Sequence, residues 1–110
     1  RALADALTTN SSLMSLHLSR NDLGDEGARV LADALAINTS LTALDLTAHK
    51  GRVDSACALA RSLTTNRSLT SLDLGYNYFD VGGMLALAEA LKSSNSSLTS
   101  LNFGYPLQNY

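Results

Sequence analysis

The residues best equipped for chemistry in this chain are His17, Ser19, Asp45, Asp73 and the lone Cys57. A histidine with two carboxylates is a donor set for a divalent metal, and an added serine hydroxyl supplies the parts of a hydrolytic set. Both schemes need side chains that converge on one point and are oriented by further groups. The spacing argues against convergence. His17, Asp45 and Asp73 follow one another at intervals of 28 residues, and each holds the same place in a recurring segment, so they are expected to line up as a flat column. No Gly-rich phosphate loop, metal motif or nucleophile elbow accompanies them. The expectation is therefore that the chain is not an enzyme, with no catalytic residues, no metal site and no cofactor.

Cys57 has no partner for an internal disulfide, and it falls at a variable helix position, where a surface or half-buried thiol is expected. The cysteine-rich end caps of extracellular repeat proteins are absent, which favours a reducing, cytoplasmic setting. Asn10, Asn38, Asn66 and Asn95 each stand in an Asn-x-Ser sequence. In a secreted protein these would be glycan acceptors. They also fall at one landmark of every repeat, where a structural asparagine ending a helix in the left-handed conformation is the favoured reading.

Hydrophobic residues make up 45% of the 110-residue chain, but aromatic ones only 5%, and 22 positions are Leu. A core drawn so heavily from one residue points to a repeated packing unit. The net charge of −2 gives no reason to expect nucleic acid or an anionic membrane as partner. No apolar run approaches the roughly 18 residues needed to span a bilayer.

The elements that position these residues follow from the repeat. Leu13, Leu16, Leu18 and Asn21 return as Leu41, Leu44, Leu46 and His49, then as Leu69, Leu72, Leu74 and Asn77. A last copy reads Leu98, Leu101, Phe103 and Pro106, so the periods are 28, 28 and 29 residues. Within each unit the apolar spacing changes. Alternation around Leu16 and Leu18 predicts a strand, with strands near residues 15–19, 43–47, 71–75 and 100–103. Helical spacing follows: Ala28, Leu31 and Leu35; Ala56, Leu59, Ala60 and Leu63; Met84, Leu87, Ala88 and Leu91. Asp25, Asp54 and Asp80 lie near the helix starts, where a carboxylate accepts orphan N–H groups. Neither element buries its face alone, so the units must stack into a solenoid. The fold class expected is α/β, with a parallel β-sheet on the concave side and α-helices on the convex side.

The pattern Leu13, Leu16, Leu18, Asn21, Leu23, Gly27, Leu31, Leu35 and Asn38 resembles the ribonuclease-inhibitor class of leucine-rich repeat, over the whole chain. Similar repeats occur in ribonuclease inhibitor, NOD-like receptors, the GTPase-activating protein for Ran and tropomodulin-like actin regulators. The resemblance implies that the asparagine matching Asn21 and Asn77 sits inside its turn and bonds backbone of the neighbouring coil. Residues 1–110 are expected to form one solenoid segment of about four repeats, truncated at both ends and part of a longer chain. Arg1 aligns with Arg29 inside a helix, and the last copy stops after its strand.

On such a wall one outward column is His17, Asp45, Asp73 and Asn102. A second is Ser19, Thr47, Gly75 and Gly104, and the strand ends carry Arg20, Ala48, Tyr76 and Tyr105. Tyr76 and Tyr105 would form a paired aromatic ledge, and aromatic residues beside charge are hot-spot chemistry. Asp45 and Asp73 place like charges on adjacent strands, which calls for a cation. The partner-binding residues expected are thus His17, Arg20, Asp45, Asp73, Tyr76, Asn102 and Tyr105, receiving a basic or amphipathic segment of a protein; ordinary solvated wall residues are the competing reading. In the second repeat, Lys50, Gly51, Arg52 and Val53 depart from the pattern. That departure reads as degeneracy, with Val53 turning inward for the Leu lost at Gly51, ahead of a contact loop for an acidic partner. The function expected is an intracellular scaffold or sensor. The alternatives are a regulatory repeat domain, as in a GTPase activator or nucleotide-binding receptor, and a structural subunit of a large assembly.

Overall fold

The computed structural model describes residues 2–48, 50–93 and 97–102. Helix α1 (Ala2–Thr9) leads into strand β1 (Ser15–His17), and the alternation continues with α2 (Gly24–Ile37) and β2 (Ala43–Asp45). Helix α3 (Val53–Leu63), β3 (Ser71–Asp73), α4 (Val81–Ser93) and β4 (Ser100–Asn102) complete it. The four strands form one parallel sheet in chain order, with Leu16, Leu44, Leu72 and Leu101 in register. Each helix packs on the next along the opposite layer. The chain is an α/β solenoid segment.

The three-residue strands understate the pairing. Backbone bonds continue past them: Leu18 N–H donates to Asp45 O, Arg20 N–H to Thr47 O, Leu46 N–H to Asp73 O and Ala48 N–H to Gly75 O. The leucines on either side of each strand close the core. Leu41, Leu44, Leu46, Leu69, Leu72 and Leu74 are buried against Leu31, Leu35, Leu59, Leu63 and Leu87 of the helices.

A helix and strand of unlike width stay in phase only if the connections between them are pinned, and the buried asparagines Asn38, Asn66 and Asn77 do this. The side-chain amide of Asn66, 2% exposed, donates to Leu35 O at 2.8 Å and Asn38 O at 3.1 Å in the preceding coil. Its Oδ1 accepts from Ser68 N–H and Leu69 N–H of its own turn. Asn38 repeats the arrangement, donating to Leu7 O and Asn10 O and accepting from Ser40 and Leu41 N–H. Two carbonyls and two amides that would be orphaned in the interior are thereby satisfied by one side chain.

This corrects the expectation of left-handed helix caps. Asn38 is extended (φ −65°, ψ 138°), and neither Asn10 nor Asn66 has a positive φ. The asparagines are needed for their amides, not for a tolerance of left-handed backbone. Asn95 lies outside the described residues. Beyond the strand, Asn77 is buried inside its turn, as the resemblance implied: its Nδ2 donates to Leu46 O, Leu74 O and Gly75 O, and Gly51 N–H donates to its Oδ1. Among the described residues no strand precedes β1, and Asn21 is exposed, with its side-chain amide donating to Ser19 O at 3.4 Å.

Three other expectations shift. Val53 does not turn inward; it is 38% exposed, while Gly51 is buried. The first turn of α3 points Val53 to the convex surface, and the fully buried Phe79 of the next coil holds the position equivalent to Gly51. On α4, Ala88 is exposed and Ala90 is buried, as are its equivalents Ala34 and Ser62 in α2 and α3. The helix-start carboxylates also divide. Asp80 caps its own helix through Gly83 N–H at 3.0 Å. Asp25 instead accepts from Arg52 and Ser55 N–H, capping the helix of the following coil, whereas Asp54 makes no such bond among the described residues.

Replacing Asn66 by Ala leaves two buried carbonyls and two amides without partners. At about 1–3 kcal/mol for a buried group so stranded, partly relieved by water, the expected loss is about 3 kcal/mol or more. Asn10→Ala, at the exposed end of the same ladder, is expected to cost under about 1 kcal/mol. Urea unfolding of both variants measures the contrast.

Candidate functional site

The sheet's open face carries the residues that the repeat brings into register. His17 stands opposite Asp45, Asp45 opposite Asp73, and Asp73 opposite Asn102. His17 Nδ1 lies 3.6 Å from Asp45 Oδ2, a pair that is ionic when the imidazole is protonated, and its Nε2 lies 3.2 Å from Ser15 Oγ. At the other end of the column, Asn102 Nδ2 donates to Asp73 Oδ1 at 3.3 Å. His17, Ala43, Leu44, Asp45, Ser71 and Asp73 line a shallow trough of about 150 Å³. Its floor is shallow in side chain because Ala43 and Ser71 are small, so the two carboxylates stand clear at its edge.

Each carboxylate is held by its own strand. Thr47 donates both its backbone N–H, at 2.9 Å, and its hydroxyl to Asp45 Oδ1. Gly75 N–H donates to Asp73 Oδ1 at 3.0 Å. Partial burial pushes the Asp45 carboxyl up, but the Thr47 hydroxyl and amide and the neighbouring His17 together outweigh it. The group therefore ionises below the ordinary carboxylate value. The sequence showed the carboxylates but not the Thr47 contact; the only sign was a hydroxyl two residues after an aspartate, the spacing of a local side-chain turn.

The strand-end residues sit apart from this column. Arg20, Ala48 and Tyr76 all adopt left-handed backbone, with φ of 62°, 55° and 57°. With Thr47, they line a second depression of about 300 Å³ at the rim. Tyr76 is 45% exposed there. Tyr105 and Gly104 fall outside the described residues, so the ledge expected of Tyr76 and Tyr105 is seen only in its Tyr76 half. On the loop beyond, Lys50 Nζ is 3.5 Å from Asp22 Oδ2, and the Arg52 guanidinium lies over the Tyr78 ring at 5.2 Å. The basic loop thus leans on its neighbours in both directions.

Further along each coil a threonine ladder marks the start of the strands. Thr42 Oγ1 donates to Met14 O, Thr70 Oγ1 to Thr42 O and Thr99 Oγ1 to Thr70 O. These hydroxyls stiffen the edge of the face, a role that threonine in an exposed strand did not disclose. Among the described residues, no group of three or more His, Cys, Asp or Glu side chains is placed to hold a metal ion, and no helix is long and apolar enough to cross a membrane.

Two outcomes test this geometry. Because the folded Asp45 carboxyl is depressed, the stability it contributes is complete above the ordinary value of about 3.9 and is lost as pH falls through the lower folded value. Thr47→Val removes one bond to the carboxylate and is expected to raise the Asp45 pKa toward the ordinary value, read by carboxyl-carbon NMR titration. Ala48→Gly relieves the left-handed strain of a Cβ and is expected to stabilise the fold by about 1 kcal/mol in urea unfolding.

The family model described as Leucine Rich repeat matches residues 9–32 and 65–88, segments that lie two repeat periods apart. No curated protein sequence matches the chain significantly. Among solved structures, one titled Leiomodin-1 Actin-Binding Site 2 superposes with a TM-score of 0.89 at 25% identity, covering 96% of this chain and 61% of that one. The tropomodulin C-terminal domain of Caenorhabditis elegans gives a TM-score of 0.87 at 15% identity, covering 99% of this chain and 66% of that one. The tropomodulin likeness, at that identity, speaks for the fold alone, and this chain spans less than two thirds of either neighbour. With the 28-residue period, the in-register parallel sheet and the two matched segments together, the chain has the fold of a leucine-rich-repeat solenoid.

Proposed function

We propose that the concave face is a protein-docking surface, and that the Asp45 and Asp73 carboxylates receive a basic or amphipathic segment of the partner. One observation carries this reading. Two carboxylates stand in register on neighbouring strands, beside the small side chains of Ala43 and Ser71, and each is already oriented by Thr47 or Gly75. Like charges so placed repel, and a Lys or Arg side chain laid between them relieves that repulsion. Because the carboxylates are held before the partner arrives, little ordering is left to oppose binding. His17, Asn102, Arg20, Tyr76 and Tyr105 complete the proposed contact set around them.

The chain acts, on this reading, by binding rather than catalysis, as a scaffold or sensor inside the cell. The lone Cys57 and the committed amides of Asn38 and Asn66 support that compartment. A glycan on either asparagine would take the nitrogen that holds two coils together. A regulatory repeat domain of a GTPase activator or nucleotide-binding receptor would use the same face, whereas a structural subunit of a large assembly would use both faces as packing surface. The 25% identity to a leiomodin-1 structure titled as an actin-binding site favours actin as the first partner to test.

The test compares the chain with a variant carrying Asp45→Lys, Asp73→Lys, Tyr76→Ala and Tyr105→Ala. Circular dichroism checks that the variant folds. Retention on immobilised actin, and of proteins from the source cells identified by mass spectrometry, is then measured for both. Any partner held by this face is expected to bind the variant at least about tenfold more weakly. Unchanged recovery of every partner by a folded variant overturns the proposed face, and absent actin binding removes actin alone.

A further inference from the structure

The rim depression has a different chemistry from the acidic trough. Its three corners, Arg20, Ala48 and Tyr76, come from three successive coils and are tied together by Arg20 N–H donating to Thr47 O and Ala48 N–H donating to Gly75 O. All three have left-handed backbone, which is disfavoured for any residue with a Cβ and free for glycine. A large cationic and a large aromatic side chain are thus held at positions where the turn itself favours glycine. Such strain points to a use for the side chains that the fold does not require. The exposed Arg20 side chain makes no hydrogen bond or ion pair among the described residues. Ala48 and Thr47, whose hydroxyl is already donated to Asp45, line the depression together with Arg20 and the exposed Tyr76.

We infer that this depression is a second subsite of the concave face, taking an acidic side chain on Arg20 and an apolar side chain on Tyr76 from one extended segment. The inference rests on the reading of the concave face as a docking surface, but not on the acidic trough. The spacing supports it. Arg20 and Tyr76 stand two strands apart, about 10 Å at the usual interstrand distance. A polyproline II segment crossing the strands puts residues i and i+3 on one side, about 9 Å apart. A β-strand ligand would turn those two residues to opposite sides. Arg supplies the bidentate, always-charged fork that suits a carboxylate, and Tyr the rigid apolar surface beside it.

The probes are the peptides acetyl-Glu-Pro-Pro-Leu-amide and acetyl-Leu-Pro-Pro-Glu-amide, one for each chain direction, and their Gln counterparts. Each is titrated into the isotope-labelled chain and followed by amide NMR. The expected result is saturable millimolar binding of one acidic peptide, with shifts centred on Arg20, Thr47, Ala48 and Tyr76. Arg20→Gln, and the Gln peptide on the native chain, are each expected to weaken binding at least tenfold. Tyr76→Ala should weaken it as well, while Lys50→Gln, on the neighbouring basic loop, leaves it unchanged. Shifts centred on Lys50 and Arg52, no saturation by either acidic peptide, or equal binding by Arg20→Gln overturns the subsite. Because the probes carry no cation, failure of the basic-segment reading at Asp45 and Asp73 would leave this result standing.

Discussion

The buried carboxamides of Asn38 and Asn66 each hold their coil to the one before it, and the order of the solenoid depends on that contact. The Asn66 amide spans the seam between coils, donating to carbonyls at the end of α2 and in the turn after it, and accepting from the start of its own strand segment. Asn77 closes the other end of that segment in the same manner. Strand β3 is therefore clamped on both sides. A slip by one residue would break these bonds together and turn the leucines outward, so the register is specified twice over. A carboxylate in place of either carboxamide has no hydrogen to donate, and a hydrophobic side chain has neither donor nor acceptor.

The clamp also shapes the outer face. Once register is set, whatever stands at a given repeat position must stand beside its own equivalents, whether or not their charges agree. Asp45 and Asp73 are brought together on those terms, and Thr47, Gly75 and His17 offset the cost locally. The same turn forces left-handed backbone on Arg20, Ala48 and Tyr76, which carries the larger side chains to the rim, away from the acidic column. The face is thus divided into a negative floor and a cationic, aromatic edge by a constraint that originates in the interior.

The second coil shows how the neighbours share the work. It lacks the leucine expected at position 51, yet Gly51 donates to Asn77 and accepts from Tyr78 N–H, while Arg52 N–H is capped by Asp25 and its guanidinium rests over Tyr78. A coil weak by its own sequence is supported from both sides, as a structure built on nearest-neighbour interfaces allows. What read as degeneracy in one repeat is better described as an arrangement among three.

Much of this was legible in the amino-acid order. The period, the change from alternating to helical spacing and the apolar faces determined a parallel sheet backed by helices, because 2.0 and 3.6 are local periodicities of the backbone and leave their mark without any distant contact. The columns His17–Asp45–Asp73–Asn102 and Arg20–Ala48–Tyr76 were legible too, since equal repeats place equal positions side by side. Tertiary structure alone decided which hydrogen bonds those positions make. Asn38 and Asn66 were read as helix caps but bridge coils 28 to 31 residues apart, Asp25 caps a helix in the next coil, and Val53 faces outward. Each of these depends on where a polar atom of one coil meets the backbone of another, and a residue's type does not record the distance or angle at which its neighbour arrives.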